Sequence, residues 1–190
     1  SYVSAPMDRN AQPLQILMDE YRVLKAEQSM RIGFRDNLLY VTLGLFGAIA
    51  SFALTNAKGH NAFLVIPWVC LVMGWTYLIN DEKISAIGRY VRHTLEKRIS
   101  DLIGGSADNQ YLFGWETAHR DDPRRKRRKY TQLVIDQITF VISGLMALIV
   151  FWILASKVSA FTVILSVIEA VLLIILGIRI ADYADLAKGH

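Results

Sequence analysis

The stretch VILSVIEAVLLIILG, Val163 to Gly177, is apolar throughout except at Ser166 and Glu169. A helix of about 20 apolar residues crosses the roughly 30 Å hydrocarbon core of a bilayer. The apolar block around this stretch runs from Ala160 to Ile178. It therefore predicts a transmembrane helix that carries a carboxyl group near its centre.

Three other blocks have a similar length and composition: Leu38–Thr55, Ala62–Ile79 and Ile138–Ala155. Of the 190 residues, 53% are hydrophobic, above the roughly 45–50% of a soluble domain. Few polar residues separate the first block from the second or the third from the fourth, so each pair predicts a helical hairpin. The predicted fold class is all-α: a bundle of four transmembrane helices in two hairpins, with two long amphipathic cytoplasmic helices, assembled as a homo-oligomer.

The two amphipathic helices are predicted from apolar stripes at helical spacing. In Pro13–Asp36 the stripe consists of Leu14, Leu17, Tyr21 and Leu24. This helix is either interfacial or solvated, or it packs against another cytoplasmic helix of the same or a neighbouring subunit. A second helix is predicted over residues 81–103, continuous with or bent from the second membrane helix, with Asn80 as a plausible N-cap and Gly104-Gly105 as its stop.

The Lys and Arg residues predict the orientation, because cytoplasmic loops are enriched in positive charge. Of the 21, 19 lie in the N-terminal segment, the central loop or the C-terminal tail. Both termini are therefore expected on the cytoplasmic side of the inner (plasma) membrane, and no secretory signal precedes the first block. The predicted division is 1–12 disordered or vector-derived, 13–37 amphipathic helix, 38–79 first transmembrane hairpin, 80–130 cytoplasmic helix and basic loop, 131–179 second hairpin, and 180–190 tail.

A run of basic residues after Pro123 precedes the third block. Anionic lipid headgroups are the expected ligands of its six members: Arg124, Arg125, Lys126, Arg127, Arg128 and Lys129. A charged vestibule and a docking site for an acidic partner are the alternatives. Nucleic-acid binding is not expected, because stacking aromatics are not interleaved with the charges.

The chain has no pattern of a catalytic or metal site. Its four histidines and one cysteine show no metal-ligand spacing, and no phosphate-binding loop or nucleophile elbow is present. Neither enzyme activity nor a metal or cofactor is expected. Cys70 is interpreted as a small buried apolar residue.

Small residues share a face of the first block: Gly44, Gly47, Ala48 and Ser51. Such residues let helices approach closely in lipid. They predict helix packing, either within the chain or between subunits.

Polar residues of the fourth block form one stripe, in which Thr162, Ser166 and Glu169 follow at steps of four and three. The stripe should face the bundle interior, a subunit seam or a water-filled cavity. Without a basic group at matching depth, Glu169 is expected to be protonated or reached by water. Its role is to pass or sense ions or protons, to hydrogen-bond another helix, or simply to be tolerated facing lipid. Asp136, nearer the membrane edge, is expected to be solvated.

Two runs, DEYRVLKAEQSMRIGFRDNLLYVTLG (residues 19–44) and GWTYLINDEKISAIGRYVR (residues 74–92), resemble segments of uncharacterised four-pass integral membrane proteins of actinobacteria and other bacteria. That group has no defining catalytic motif. The order of helix, membrane hairpin and helical extension also resembles the SLATT-type membrane modules. This second resemblance implies a pore-forming effector of bacterial defence, although the second hairpin departs from the two-pass version.

The predicted function is therefore an oligomeric membrane protein that forms or gates an ion pathway, in a defence system if the SLATT resemblance holds. The alternative is a non-conducting scaffold whose cytoplasmic helices recruit a soluble partner. A proton-coupled carrier ranks third, because inverted repeats are not visible in so short a chain.

Overall fold

The computed structural model describes residues 11–104 and 125–186, and these ranges contain helices and short turns without a strand. The α-helices are α1 (Ala11–Thr55), α2 (Val65–Tyr90), α3 (Glu96–Leu102), α4 (Arg125–Asp136), α5 (Ser143–Leu154) and α6 (Ala160–Leu186). A 3₁₀ helix, Gly59–Leu64, precedes α2. π-helical segments join α2 to α3 at Val91–Leu95 and α4 to α5 at Gln137–Ile142. The all-α prediction is confirmed.

Four helical stretches among the described residues are long and apolar enough to cross a membrane. They are Ala11–Thr55, Gly59–Leu102, Arg127–Leu154 and Ala160–Ala184. Each contains one of the four apolar blocks, except that the third block extends one residue, Ala155, beyond its span. The turns after Thr55 and Leu154 separate the paired blocks. These lengths and compositions are those of a multi-pass membrane protein.

The chain divides into two compact units. The bundle unit comprises Phe34–Glu82 and Lys126–His190, and the extension unit comprises Ser1–Gly33 and Lys83–Arg125. The core of the bundle unit includes Cys70, Phe140, Phe151, Leu173 and Leu176.

Gly144 allows α2, α5 and α6 to pack closely in the bundle unit. A Cβ at Gly144 would lie 2.8 Å from Leu173 Cδ1 and 3.3 Å from Cys70 Sγ. A side chain at residue 144 would not fit at this distance. The side chains of Leu173 and Cys70 therefore pack directly against the backbone of α5. Cys70 is fully buried, which agrees with its interpretation as a packing residue.

In the extension unit, α1 packs against the helical run from α2 to α3. The buried residues Val91, Leu95 and Ile99 contact the stripe of α1, namely Leu14, Leu17, Met18, Tyr21 and Leu24. The hydroxyl of Tyr90 donates to Glu20 Oε1 at 2.7 Å, and Gln28 Nε2 donates to the carbonyl of Ile84 at 3.1 Å. Of the two alternatives for this amphipathic segment, helix–helix packing within the chain is therefore the one observed.

The N-cap role predicted for Asn80 is wrong, and continuation of the second membrane helix is the observed form of the helix predicted over residues 81–103. Asn80 lies inside α2 and is buried, rather than capping a new helix. Because α2 continues to Tyr90, its backbone N–H groups at residue 80 need no cap. The predicted stop agrees with the structure as far as Gly104, whose positive φ of 89° suits glycine. Gly105, the loop to Asp122 and residues 1–10 of the predicted N-terminal segment 1–12 lie outside the described residues, whereas Ala11 and Gln12 belong to α1.

Candidate functional site

Glu169 lies on the buried face of α6, inside the bundle unit. Its exposed fraction is 0%, and Ser166, one turn before it, is also buried. Leu173 and Leu176 continue the same face and are fully buried. The prediction that the polar stripe faces the bundle interior is correct for Ser166 and Glu169.

The polar atoms of this Glu169 site have no hydrogen-bond partner among the described residues. They are both carboxyl oxygens of Glu169 and the hydroxyl oxygen of Ser166. The indole of Trp68, on α2, lies near the carboxyl group but outside hydrogen-bonding geometry. A buried group without a partner loses its hydration and gains nothing in return, at a cost of about 1–3 kcal/mol for a neutral group and more for a charge.

The other polar residues expected near Glu169 are engaged elsewhere. Thr162 is in the first turn of α6, where its backbone N–H donates to Ser159 Oγ at 3.2 Å. The hydroxyl of Ser143 donates to the carbonyl of Ile138 at 2.8 Å, within the π-helical segment. The structure therefore separates Thr162 from the Glu169 site, and Ser143 does not cap the carboxyl group.

A second polar cluster in the bundle unit, the paired layer, is built on Tyr77, Gln132 and Asp136. Gln132 Nε2 lies 2.7 Å from Tyr77 Oη and 2.8 Å from Asp136 Oδ1. The exposed fraction of Asp136 is only 7%. The prediction that Asp136 is solvated is therefore wrong, because the face of α4 that carries Gln132 and Asp136 is turned toward Tyr77 of α2.

An ion pair completes the paired layer. Arg35 Nη1 of α1 lies 2.8 Å from Asp81 Oδ1 of α2, and Asp81 follows Tyr77 by four residues on that helix. The hydroxyl of Tyr183, on α6, donates to the carbonyl of Asp81 at 3.1 Å. These contacts tie α1, α2 and α6 together at one end of the bundle. These contacts between helices were not predicted from the sequence. The four-residue spacing of Gln132 and Asp136 was a signal only for the hydrogen bond between those two side chains.

An apolar layer lies between the two polar sites. It consists of Phe140, Leu173 and Leu176, all with 0% exposure. The ring centroids of Phe140 and Tyr77 are 5.2 Å apart, so Phe140 borders the paired layer. Leu173 and Leu176 separate Glu169 from Gly177, whose carbonyl accepts a 2.8 Å hydrogen bond from Gln137. Eight residues of helix span about 12 Å, and no described polar side chain bridges that distance on the buried face of α6.

The small-residue face of α1 does not pack against any part of the chain that the structure describes. Gly44, Gly47, Ala48 and Ser51 are exposed, and a Cβ on Gly44 or Gly47 would meet no described atom within 4 Å. Intramolecular packing of this face is therefore not observed among residues 11–104 and 125–186. Packing between subunits stays a prediction.

The basic run begins α4. Arg127 and Arg128 are exposed there, as a headgroup-binding segment requires. Arg124 and the side chains of Arg125 and Lys126 lie outside the described residues. The proposed lipid contacts of the run, including those of Lys129, stay a prediction.

Residues 11–104 and 125–186 contain no group of three or more His, Cys, Asp or Glu side chains that could hold a metal ion. Comparison of the chain with family models, with curated proteins and with solved structures gave no match.

Proposed function

We propose that the protein is a multi-pass membrane protein whose bundle forms or gates an ion pathway, with Glu169 as the ion- or proton-responsive group. In this proposal both termini are cytoplasmic in the inner membrane, and the protein is a homo-oligomer. The SLATT resemblance supplies its biological setting, a membrane effector of a bacterial defence system.

The observation that supports this function is the buried, unpartnered carboxyl group of Glu169. An ionisable residue inside a membrane bundle is expensive and usually functional. A carboxyl group with a purely structural role would have a hydrogen-bond partner, as Asp136 has in Gln132 of the same helix. The site has two carboxyl oxygens and one hydroxyl oxygen without a hydrogen-bond partner among the described residues. Such a set of oxygens can bind a proton or a hydrated monovalent cation.

The apolar layer gives the proposal its second part. Phe140, Leu173 and Leu176 are packed without exposure between Glu169 and the paired layer. Hydrophobic constrictions close channels by excluding water. The described conformation is accordingly a closed one, and opening requires the layer to separate and admit water.

Ion flux into liposomes that contain the purified protein tests the proposal. The wild type, Glu169→Gln and Glu82→Gln are compared at two pH values. Glu82 is exposed on α2, so its variant makes the same chemical change outside the bundle interior. We expect flux above that of empty liposomes, lost or made insensitive to pH by Glu169→Gln and unaffected by Glu82→Gln. Equal flux in all three proteins would show that Glu169 takes no part in an ion pathway.

A non-conducting scaffold is the second candidate, and the extension unit favours it. That unit has a hydrophobic core of its own around Val91, Leu95 and Ile99, as a module that presents a surface to a soluble partner requires. The scaffold predicts no flux from folded protein under any condition. It also predicts that deletion of residues 13–36 abolishes recruitment of a partner while the bundle remains folded.

A further inference from the structure

In the extension unit, three large apolar side chains of α1 face away from the core. Ile16, Val23 and Met30 are 62%, 66% and 71% exposed. The core-facing residues Leu14 and Tyr21 each precede one of them by two positions, or about 200° around a helix. The exposed row is therefore on the side of α1 opposite its packed face, and nothing described in the chain covers it.

The spacing of this row is seven residues, which is the repeat of a coiled-coil seam. With Ile16, Val23 and Met30 at position a, position d holds Asp19, Ala26 and Gly33. All three d residues are exposed as well. Apart from Asp19, these six positions are apolar or small. Asp19 is paired within its own helix, since its Oδ1 lies 3.2 Å from Arg22 Nη1.

The same register continues in the part of α1 that belongs to the bundle unit. Gly44 follows Met30 by 14 residues, so Gly44 and Ser51 occupy position a and Gly47 occupies position d. These residues are exposed, and small residues at such positions allow two helices to approach closely in lipid. The a positions of the first segment are bulky and apolar, whereas Gly44, Gly47 and Ser51 in the second are small. The second segment also places Asn37 at position a and Tyr40 and Leu54 at position d, and all three are exposed.

The charges beside the seam fit a second copy of the same helix in parallel. Arg22 occupies position g and Glu27 occupies position e. In a parallel pair, a g residue lies near the e residue of the partner helix five positions further on, where opposite charges attract. Two copies of a membrane protein with one topology are necessarily parallel along the membrane normal.

We propose that α1 is a homodimerisation helix, which pairs in parallel with α1 of a second copy through positions a and d. A second copy is the occupant because it offers a helix with the same register, the same small residues and the complementary charge. The inference does not depend on ion conduction by the bundle.

Disulfide cross-linking in native membranes tests this pairing. The only native cysteine, Cys70, is fully buried, so single cysteines can be introduced at Val23, Ser51 or a control position. Ser29→Cys is the control for Val23→Cys because Ser29 is exposed at position g, beside the seam. Phe52→Cys, exposed at position b, is the control for Ser51→Cys.

We expect mild oxidation to give covalent dimers of Val23→Cys and Ser51→Cys, several-fold more than of their controls. Cysteines at a positions can reach the 4.4–6.8 Å Cα separation, approximately, of a disulfide. Equal cross-linking at seam and control positions, or none at any, would overturn the pairing. Dimers of Val23→Cys without dimers of Ser51→Cys would overturn the continuous register.

Charge reversal separates pairing between copies from effects within one helix. In the Val23→Cys background, Arg22→Glu and Glu27→Arg should each reduce cross-linking several-fold, and the double reversal should restore it. The double reversal still disrupts the pairs of Arg22 with Asp19 and of Glu27 with Arg31 within the helix. Recovery would therefore come from the restored charge pair between copies, and failure to recover would overturn the assignment of e and g.

Discussion

The two polar sites of the bundle unit differ in the hydrogen bonding of their buried carboxyl groups. Asp136 has the amide of Gln132 at 2.8 Å, and the same amide reaches Tyr77. Among the described residues, neither carboxyl oxygen of Glu169 has a hydrogen-bond partner, and the hydroxyl of Ser166 beside it has none either. Both carboxyl groups are more than nine-tenths buried, so exposure does not account for the difference.

The comparison teaches that burial of a carboxyl group in this chain does not by itself leave it unpaired. In the paired layer, the amide of Gln132 donates to Asp136 on its own helix and to Tyr77 on α2, and these contacts fix α2 against α4. At Glu169, the indole of Trp68 on α2 lies nearby but outside hydrogen-bonding geometry. A site whose oxygens lack hydrogen-bond partners is suited to binding a mobile ligand rather than to stabilising the fold.

The largest effect is expected from Phe140→Ala, which removes the aromatic ring between the two sites. Loss of a fully buried Phe should lower the free energy of unfolding by about 3–5 kcal/mol. Equilibrium unfolding in mixed micelles, followed by circular dichroism, measures this loss. If the layer closes a pathway, the folded variant also leaks ions in the absence of any stimulus. Unchanged stability would show that Phe140 is not a packing residue.

Asp136→Leu should lower the free energy of unfolding by about 1–3 kcal/mol, because it removes the acceptor for Gln132 and leaves buried polar groups incompletely bonded. The same unfolding measurement applies. Asp136→Asn is the matched variant, since its amide oxygen can still accept from Gln132, and it should recover much of the lost stability. A neutral result for Asp136→Leu would contradict the structural role of the paired layer.

Gly74→Ala tests the packing of the apolar layer from the side of α2. The new Cβ would lie 2.6 Å from Leu176 Cδ2 and 3.1 Å from Phe140 Cβ. We expect a loss near the lower end of the roughly 1–3 kcal/mol typical of overpacking, because the end of the Leu176 side chain can move. Gly44→Ala, whose Cβ meets nothing within 4 Å, is the control. In a monomeric preparation it should be neutral or slightly stabilising.

The smallest effect on stability is expected from Glu169→Leu. The substitution removes a carboxyl group that has no partner, so the unfolding free energy should be unchanged or higher by about 1 kcal/mol. Thermal unfolding in detergent measures the change, with Asp136→Leu as the contrasting variant. A loss comparable to that of Asp136→Leu would mean that Glu169 joins helices, and the two sites would no longer differ.

Local pattern alone determined the helical content and the number of apolar helices in this protein. The length of each apolar block predicts a helix able to span a membrane, and the turns lie where polar residues interrupt the blocks. The steps of three and four residues also placed Ser166 and Glu169 on the buried face of α6. These features depend on residues close together in the sequence, so helical periodicity suffices to predict them.

Only the tertiary structure decided which polar groups are paired and which small residues are covered. The sequence left Asp136 at a membrane edge, whereas the structure buries it beside Tyr77, 59 positions earlier in the chain. The structure likewise pairs Arg35 with Asp81 and buries Asn80 inside a continuous helix. It places no described atom within 4 Å of a Cβ at Gly44 or Gly47. Periodicity shows which residues share a face of one helix. The partner of that face depends on how distant helices are rotated and aligned, and packing of the whole bundle sets both.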